Sequence, residues 1–205
     1  ENDFSLFVKN LYYYVINIVE CANCKHQCID VCPYDIMCVS LPDNWYKLDE
    51  FTLDDCIREM FKVENIEYKC EKCGNQIGNR IEKKLLTKPK TLIIKLKRYA
   101  VLGTSILTKV NKMIRYPEEL NIKAYFCGSE IKPYKLYGII NHLGSMAGGH
   151  YYSYINHANP IIDGQKHSPF SDIWYNCNDM SVSEVNLNEV MNSHNAYMLF
   201  YHSEN

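Results

Sequence analysis

His150 follows two glycines, Gly148 and Gly149, and 24 residues after it the chain runs Trp174–Tyr175–Asn176–Cys177–Asn178–Asp179. Glycine carries no side chain, so an extended substrate backbone can approach a histidine presented in this way closely. An Asn or Asp further along can accept the second ring N–H of the imidazole and so fix its tautomer. Asn178 and Asp179 are the candidate orienters of His150. A base and its orienter are two of the three parts of a thiol-peptidase triad. The third part, a cysteine placed to act as a nucleophile, is missing from the pattern, and the reading turns on that absence.

The second constellation is metal-binding. Cys21-x-x-Cys24 and Cys70-x-x-Cys73 stand about 45 residues apart among ten cysteines. Two thiolates two residues apart grip one zinc from a single turn, and two such turns complete a closed tetrahedral site with a structural role. Ordinary core cysteines would not fall into two matching pairs, the second inside a Lys–Cys–Glu–Lys–Cys–Gly knuckle. Cys28, Cys32 and His26 are nearby, but an x-x-x spacing suits a knuckle less well. The pairing also favours a reducing compartment, cytoplasm or nucleus, over a disulfide framework.

These residues need a frame to hold them. A chain of 205 residues buries a good core, and a net charge of −2 argues against a general nucleic-acid partner. No apolar run approaches the ~20 residues of a membrane span. The expectation is an α+β fold, mainly antiparallel β with short helices. Tyr12 to Val19 reads as a strand running into Cys21. Thr52 and Asp55 form a capping box ahead of Leu53, Cys56, Ile57, Met60 and Phe61, which share one helical face. Arg80 to Leu86 and Thr91 to Arg98 are expected to pair as a hairpin around Lys88–Pro89–Lys90. Pro33 and Pro42 mark Cys28 to Leu41 as irregular. Tyr134 to Asn141, His150 to Asn156, Ile173 to Cys177 and Ala196 to His202 read as further strands. A polar surface loop is expected from His157 to Asp172, and a short helix within Asn186 to Asn195.

The stretch from Tyr137 to Tyr154, with Gly148–Gly149–His150–Tyr151–Tyr152 inside it, resembles the histidine box of the ubiquitin-specific proteases. Trp174–Tyr175 through Asn178–Asp179, with Val182 and Val185, resembles the Asp/Asn box that follows. Ala196 to Tyr201 resembles the closing strand. The paired Cys-x-x-Cys, the Thr52–Cys56 helix start and Leu92 to Tyr99 fall in the family order. The resemblance covers the chain from about residue 12.

What it implies is a papain-like thiol peptidase fold of fingers, palm and thumb, of which residues 1–205 form a partial catalytic domain. Zinc-bearing fingers interleave with palm over about 12–97, and palm carries both boxes over about 98–205. Zinc would be held by Cys21, Cys24, Cys70 and Cys73. His150 matches the general base. Asn178 stands where the family usually has Asp, and Asp179 matches a neighbouring acidic position. The implied partners are ubiquitin and ubiquitinated proteins, with no membrane and no nucleic acid. Gly148, Gly149 and Tyr152 are the expected contacts of the ubiquitin tail, framed by Gly144 to Gly149 and by Arg98 to Arg115.

The family's nucleophile lies N-terminal to the zinc knuckles, in a Gly-x-x-Cys box that opens a helix whose N-terminus lowers the thiol pKa. Nothing in this chain matches that box. Glu1 to Phe7 resembles the helix that follows the thumb, with Leu6 where that helix has Glu. The chain is therefore expected to need an N-terminal part of the same catalytic domain to hydrolyse ubiquitin conjugates, and to be inactive alone. The competing reading is a non-catalytic zinc-bearing module that binds ubiquitin or another protein.

Overall fold

The computed structural model describes residues 8–102, 106–128, 132–145, 147–156 and 171–203. In chain order its strands begin with Tyr13–Glu20 (β1), Gln27–Tyr34 (β2), Ile36–Ser40 (β3) and Glu50–Thr52 (β4), after which helix α1 spans Leu53–Phe61. Then come Glu64–Ile66 (β5), Asn79–Leu85 (β6), Thr91–Lys97 (β7), Tyr99–Leu102 (β8), Ile106–Lys109 (β9), Met113–Arg115 (β10) and Glu119–Leu120 (β11). The last third holds Tyr134–Ser145 (β12), Gly148–Asn156 (β13), Trp174–Asn178 (β14), Ser181–Val185 (β15), helix α2 at Leu187–Met191, and Ala196–His202 (β16).

Two sheets dominate. A four-stranded antiparallel sheet runs β2-β1-β6-β5, and a larger one runs β15-β14-β13-β12-β16-β7-β3, with β11 paired to β12. The large sheet is antiparallel except where β3 lies parallel to β7. This is the expected α+β architecture, mostly antiparallel.

The core explains the order. Leu92, Ile94 and Leu96 alternate along β7 and are all buried, as are Leu199 and Tyr201 on β16 beside it. Helix α1 lays Leu53, Cys56, Ile57 and Phe61 on that core. Its start is fixed reciprocally: Thr52 Oγ1 accepts from the Asp55 N–H at 3.1 Å, and the Asp55 carboxylate accepts from the Thr52 N–H at 2.9 Å. Such a cap stabilises a helix by about 1 kcal/mol.

Two expectations fail here. The strands β6 and β7 do not form a hairpin: β6 pairs with β1 and β5, and β7 pairs with β16 and β3. Lys88–Pro89–Lys90 is a crossing between sheets, held by a Tyr134 hydroxyl donating to the Pro89 carbonyl and by the Ser203 N–H donating to that of Lys90. The segment around Pro33 is also regular, lying inside β2. Since β2 is the outermost strand of its sheet, a proline without an N–H is tolerated there. Residues 1–7 and 157–170, where a helix and a surface loop were expected, lie outside the described residues.

Candidate active site and metal centre

Two tight hairpins of the large sheet build the histidine site. In the first, β12 returns as β13, with Gly144 opposite Gly149 and Leu143 opposite His150. A Cβ on Gly149 would sit 2.3 Å from His142 Nε2 and 2.5 Å from the Leu143 carbonyl oxygen. One on Gly144, whose φ is +132°, would sit 2.5 Å from the Gly149 Cα. Glycine is required at both positions because two backbones and a histidine ring meet there. The Gly144 to Gly149 segment is therefore mostly paired strand, although Met146 lies outside the described residues.

The second hairpin joins β14 to β15, with Ser153 of β13 opposite Cys177 of β14. That register sets Asn178 one residue beyond and on the face of His150. Asp179 then turns the chain with φ +51°, a conformation Asp tolerates. The result is a bond of 2.5 Å between His150 Nε2 and Asn178 Oδ1. An amide oxygen only accepts, so Nε2 carries the hydrogen and Nδ1 holds the free lone pair. The Asp179 carboxylate lies 3.9 Å from Nε2, too far for a hydrogen bond but within ion-pair reach of a protonated ring.

None of the ten cysteines is a hydrogen-bond partner of His150 among the described residues. Cys56 is fully buried in the core, and burial pushes its thiol up to about 12, the opposite of what a nucleophile needs. Cys177 alternates to the sheet face opposite Asn178. Cys32 donates to the Asp30 carboxylate at 3.0 Å, which raises its thiol pKa.

Tyr152 and Tyr151 sit in different surroundings. The Tyr152 ring packs edge-on against Tyr154, and its hydroxyl accepts from Asn195 Nδ2 at 3.1 Å. Tyr151 is the exposed ring and stacks on His142 at 4.6 Å, with Tyr197 completing the cluster. Lys95 lies over Tyr197, and Lys109 donates to the His142 carbonyl at 2.5 Å. Adjacent tyrosines differ only in the face they take, which register decides, so the sequence alone does not separate them.

Arg98 closes the expected Thr91 to Arg98 strand and opens a segment expected to frame the tail. It is fully buried and donates to the carbonyls of Ala196 (2.6 Å), Val110 (3.2 Å) and Lys112 (2.8 Å). Burial lowers its guanidinium to about 10, so it is still charged at neutral pH. It anchors the β8–β9 hairpin to the start of β16, and that hairpin brings Lys109 to His142.

At the far end of the small sheet, the β1–β2 and β5–β6 connections bring Cys21, Cys24, Cys70 and Cys73 together, with all four sulfurs within 4.8 Å of one another. The Cys21–Cys73 and Cys24–Cys70 sulfurs are each 3.6 Å apart. A tetrahedron with Zn–S bonds of ~2.3 Å has an edge of about 3.8 Å, so the cluster fits a zinc ion and is far too open for disulfides. The two knuckles are built alike. The N–H groups of Cys21 and Cys70 donate to the carbonyls of His26 and Asn75, and those of Lys25 and Gly74 donate back to Cys21 and Cys70. Each knuckle ends on a left-handed residue, Lys25 at φ +59° and Gly74 at φ +72°. Each also points an amide at a sulfur of the other: Asn23 Nδ2 to Cys73 at 3.8 Å, Asn75 Nδ2 to Cys21 at 3.9 Å. The Cys24 N–H holds the Cys21 thiol down at about 6, against the effect of burial.

Residues 1–201 match the family described as "Ubiquitin carboxyl-terminal hydrolase". The chain is 32% identical over 187 residues to probable ubiquitin carboxyl-terminal hydrolase 8 of Schizosaccharomyces pombe, covering 91% of this chain and 36% of that protein. It is 33% identical over 162 residues to ubiquitin carboxyl-terminal hydrolase 16 of Arabidopsis thaliana, covering 75% of this chain and 14% of the relative. Its fold is similar to a chain of the SAGA DUB module Ubp8/Sgf11/Sus1/Sgf73 bound to monoubiquitin, with a TM-score of 0.79 at 23% identity, over 96% of this chain and 41% of that one. The chain thus spans less than half the length of each of these relatives.

Proposed function

Since the chain belongs to the ubiquitin carboxyl-terminal hydrolase family, we propose that it supplies the base-bearing part of a thiol peptidase that cuts the amide or isopeptide bond after the C-terminal Gly-Gly of ubiquitin. The observation that carries this reading is the His150–Asn178 bond, which commits Nε2 as a donor and leaves Nδ1 to accept a proton. The thiol gives its proton to Nδ1 and its sulfur adds to the carbonyl carbon of the terminal glycine. The imidazolium then protonates the departing amine. A water deprotonated by the same Nδ1 releases the acyl group and regenerates the thiol. Asp179 supports the imidazolium at the charged stages.

The nucleophile belongs to an N-terminal part of the catalytic domain, outside this chain. In support, the described residues give His150 no cysteine partner, and the chain covers only 36% of its Schizosaccharomyces pombe relative. Gly148 and Gly149 admit the tail beside His150, and Tyr151, His142 and Tyr197 form its aromatic floor. Zinc on the four cysteines has no open position for substrate, so its role is to hold the fingers that receive ubiquitin's body. Ten free thiols fit a reducing compartment, cytoplasm or nucleus.

The test is reconstitution. The chain is co-expressed with the Cys-bearing N-terminal part of its own catalytic domain and assayed on ubiquitin carrying a fluorogenic C-terminal amide. The chain alone should be silent, the assembly active, and the assembly with His150→Ala silent. An assembly that binds ubiquitin without hydrolysing it would favour the non-catalytic module.

A further inference from the structure

Asn79 opens β6, is fully buried, and uses every hydrogen-bonding position of its amide. Its Oδ1 accepts from the Ala22 N–H at 3.0 Å and from Asn75 Nδ2 at 3.1 Å. Its Nδ2 donates to the Tyr68 carbonyl at 2.6 Å and to the Asn75 carbonyl at 3.3 Å. Ala22 lies inside the first knuckle, and Tyr68 and Asn75 bracket the second. One side chain therefore ties two loops together, reaching 57 residues back in sequence to Ala22.

The two knuckles otherwise mirror each other, but this contact has no counterpart. The Ala22 N–H is held by Asn79, whereas no such bond reaches the matching Glu71 N–H among the described residues. The asymmetry sets a direction: the first knuckle is hung from the second through Asn79.

We propose that Asn79 is a positioning residue for the four-cysteine site, a clasp that aligns the two knuckles before metal arrives. The inference rests on the zinc reading above. A closed site assembled from two separate hairpins must bring four sulfurs within 4.8 Å, and ordering those loops costs binding free energy. With Asn79 in place, that ordering is built into the fold. Asn75 links the clasp to the ligands, since its carbonyl accepts from both Asn79 Nδ2 and the Cys70 N–H, and its amide reaches toward Cys21. Partners one shell removed from a metal typically change its affinity by about 10–100-fold.

The experiment compares the chain with Asn79→Ala and Asn79→Asp, titrating zinc against a chromophoric chelator and recording the visible spectrum with cobalt(II). Asn79→Ala should weaken zinc about 10–100-fold while melting of the large sheet is unchanged. In the metal-free variant, exchange of the Ala22 amide should speed up, a readout that general loosening of the core would not single out. Asn79→Asp keeps the acceptor for Ala22 but loses both donors, and should fall between the two. Unchanged zinc affinity and unchanged Ala22 exchange in Asn79→Ala would overturn the clasp and leave the zinc reading intact. If the unaltered chain gave no tetrahedral-thiolate cobalt spectrum, the zinc reading would fail and the clasp with it.

Discussion

Asn178 accepts the Nε2 hydrogen of His150 at 2.5 Å from the neighbouring strand, while Asp179, next in sequence, stays at 3.9 Å. The neutral amide therefore sets the ring's orientation, and the carboxylate contributes only charge. An Asn in this place is sufficient for orientation because the bond needs an acceptor, not an anion.

In the reconstituted enzyme, Asn178→Ala should lower kcat by up to about 100-fold, the lower end of what a positioned general base contributes. KM should move little, since the amide of Asn178 is engaged with the ring of His150. Asn178→Asp should retain activity and Asp179→Asn should cost much less than the alanine change at 178. Steady-state kinetics on a fluorogenic ubiquitin amide separates the three.

Gly149→Ala forces a Cβ to within 2.3 Å of His142 Nε2 and 2.5 Å of the Leu143 carbonyl oxygen, which is backbone of the paired β12 strand. Overpacking of this kind costs about 1–3 kcal/mol. Urea unfolding should report that loss, and the reconstituted enzyme should lose activity beyond what its folded fraction accounts for, because the hairpin carrying His150 has to open.

The chain should carry one zinc, and Cys70→Ser or chelation should remove it. The damage should stay local: faster amide exchange over the two knuckles and the adjoining ends of β1 and β6, with β7, β12 and β16 still protected. Elemental analysis and hydrogen exchange on the same sample check both halves. Zinc binding with equal affinity after loss of Cys70 would contradict the four-cysteine site.

Burial and the nearby Lys109 ammonium hold the His142 pKa below the ordinary imidazole value. Between that depressed pKa and about 6.5, the unfolded chain binds a proton that the folded chain does not. Stability from this residue is therefore fully present above about 6.5 and declines as pH falls, by at most about 1.4 kcal/mol per unit. His142→Phe should flatten the dependence of the urea midpoint on pH between 5 and 7. A slope equal to that of the unaltered chain would show that His142 takes no part in it.

Residues whose role depends on local pattern were legible in the sequence. The capping box at Thr52, the alternation in Thr91–Lys97 and Ala196–His202, and the two Cys-x-x-Cys pairs need only their neighbours to be read. What escaped depends on pairing between distant segments. Lys88–Pro89–Lys90 has the chemistry of a turn, yet β6 and β7 find better partners in different sheets. Pro33 reads as a breaker until β2 is known to be an edge. Asn79 and Arg98 look like ordinary polar residues, and only the fold reveals them as fully buried ties between loops. The different surroundings of Tyr151 and Tyr152 follow from the β12–β13 register.

The proposed mechanism needs this chain to present an imidazole with Nε2 protonated and Nδ1 free to take a proton from a thiol. Long-range proton–nitrogen correlation NMR of the neutral His150 ring in the isolated chain reads the tautomer directly. The Nε2–H form is expected, shifting toward Nδ1–H in Asn178→Ala. An Nδ1–H ring in the unaltered chain would contradict it, because the nitrogen meant to accept the thiol proton would already carry one.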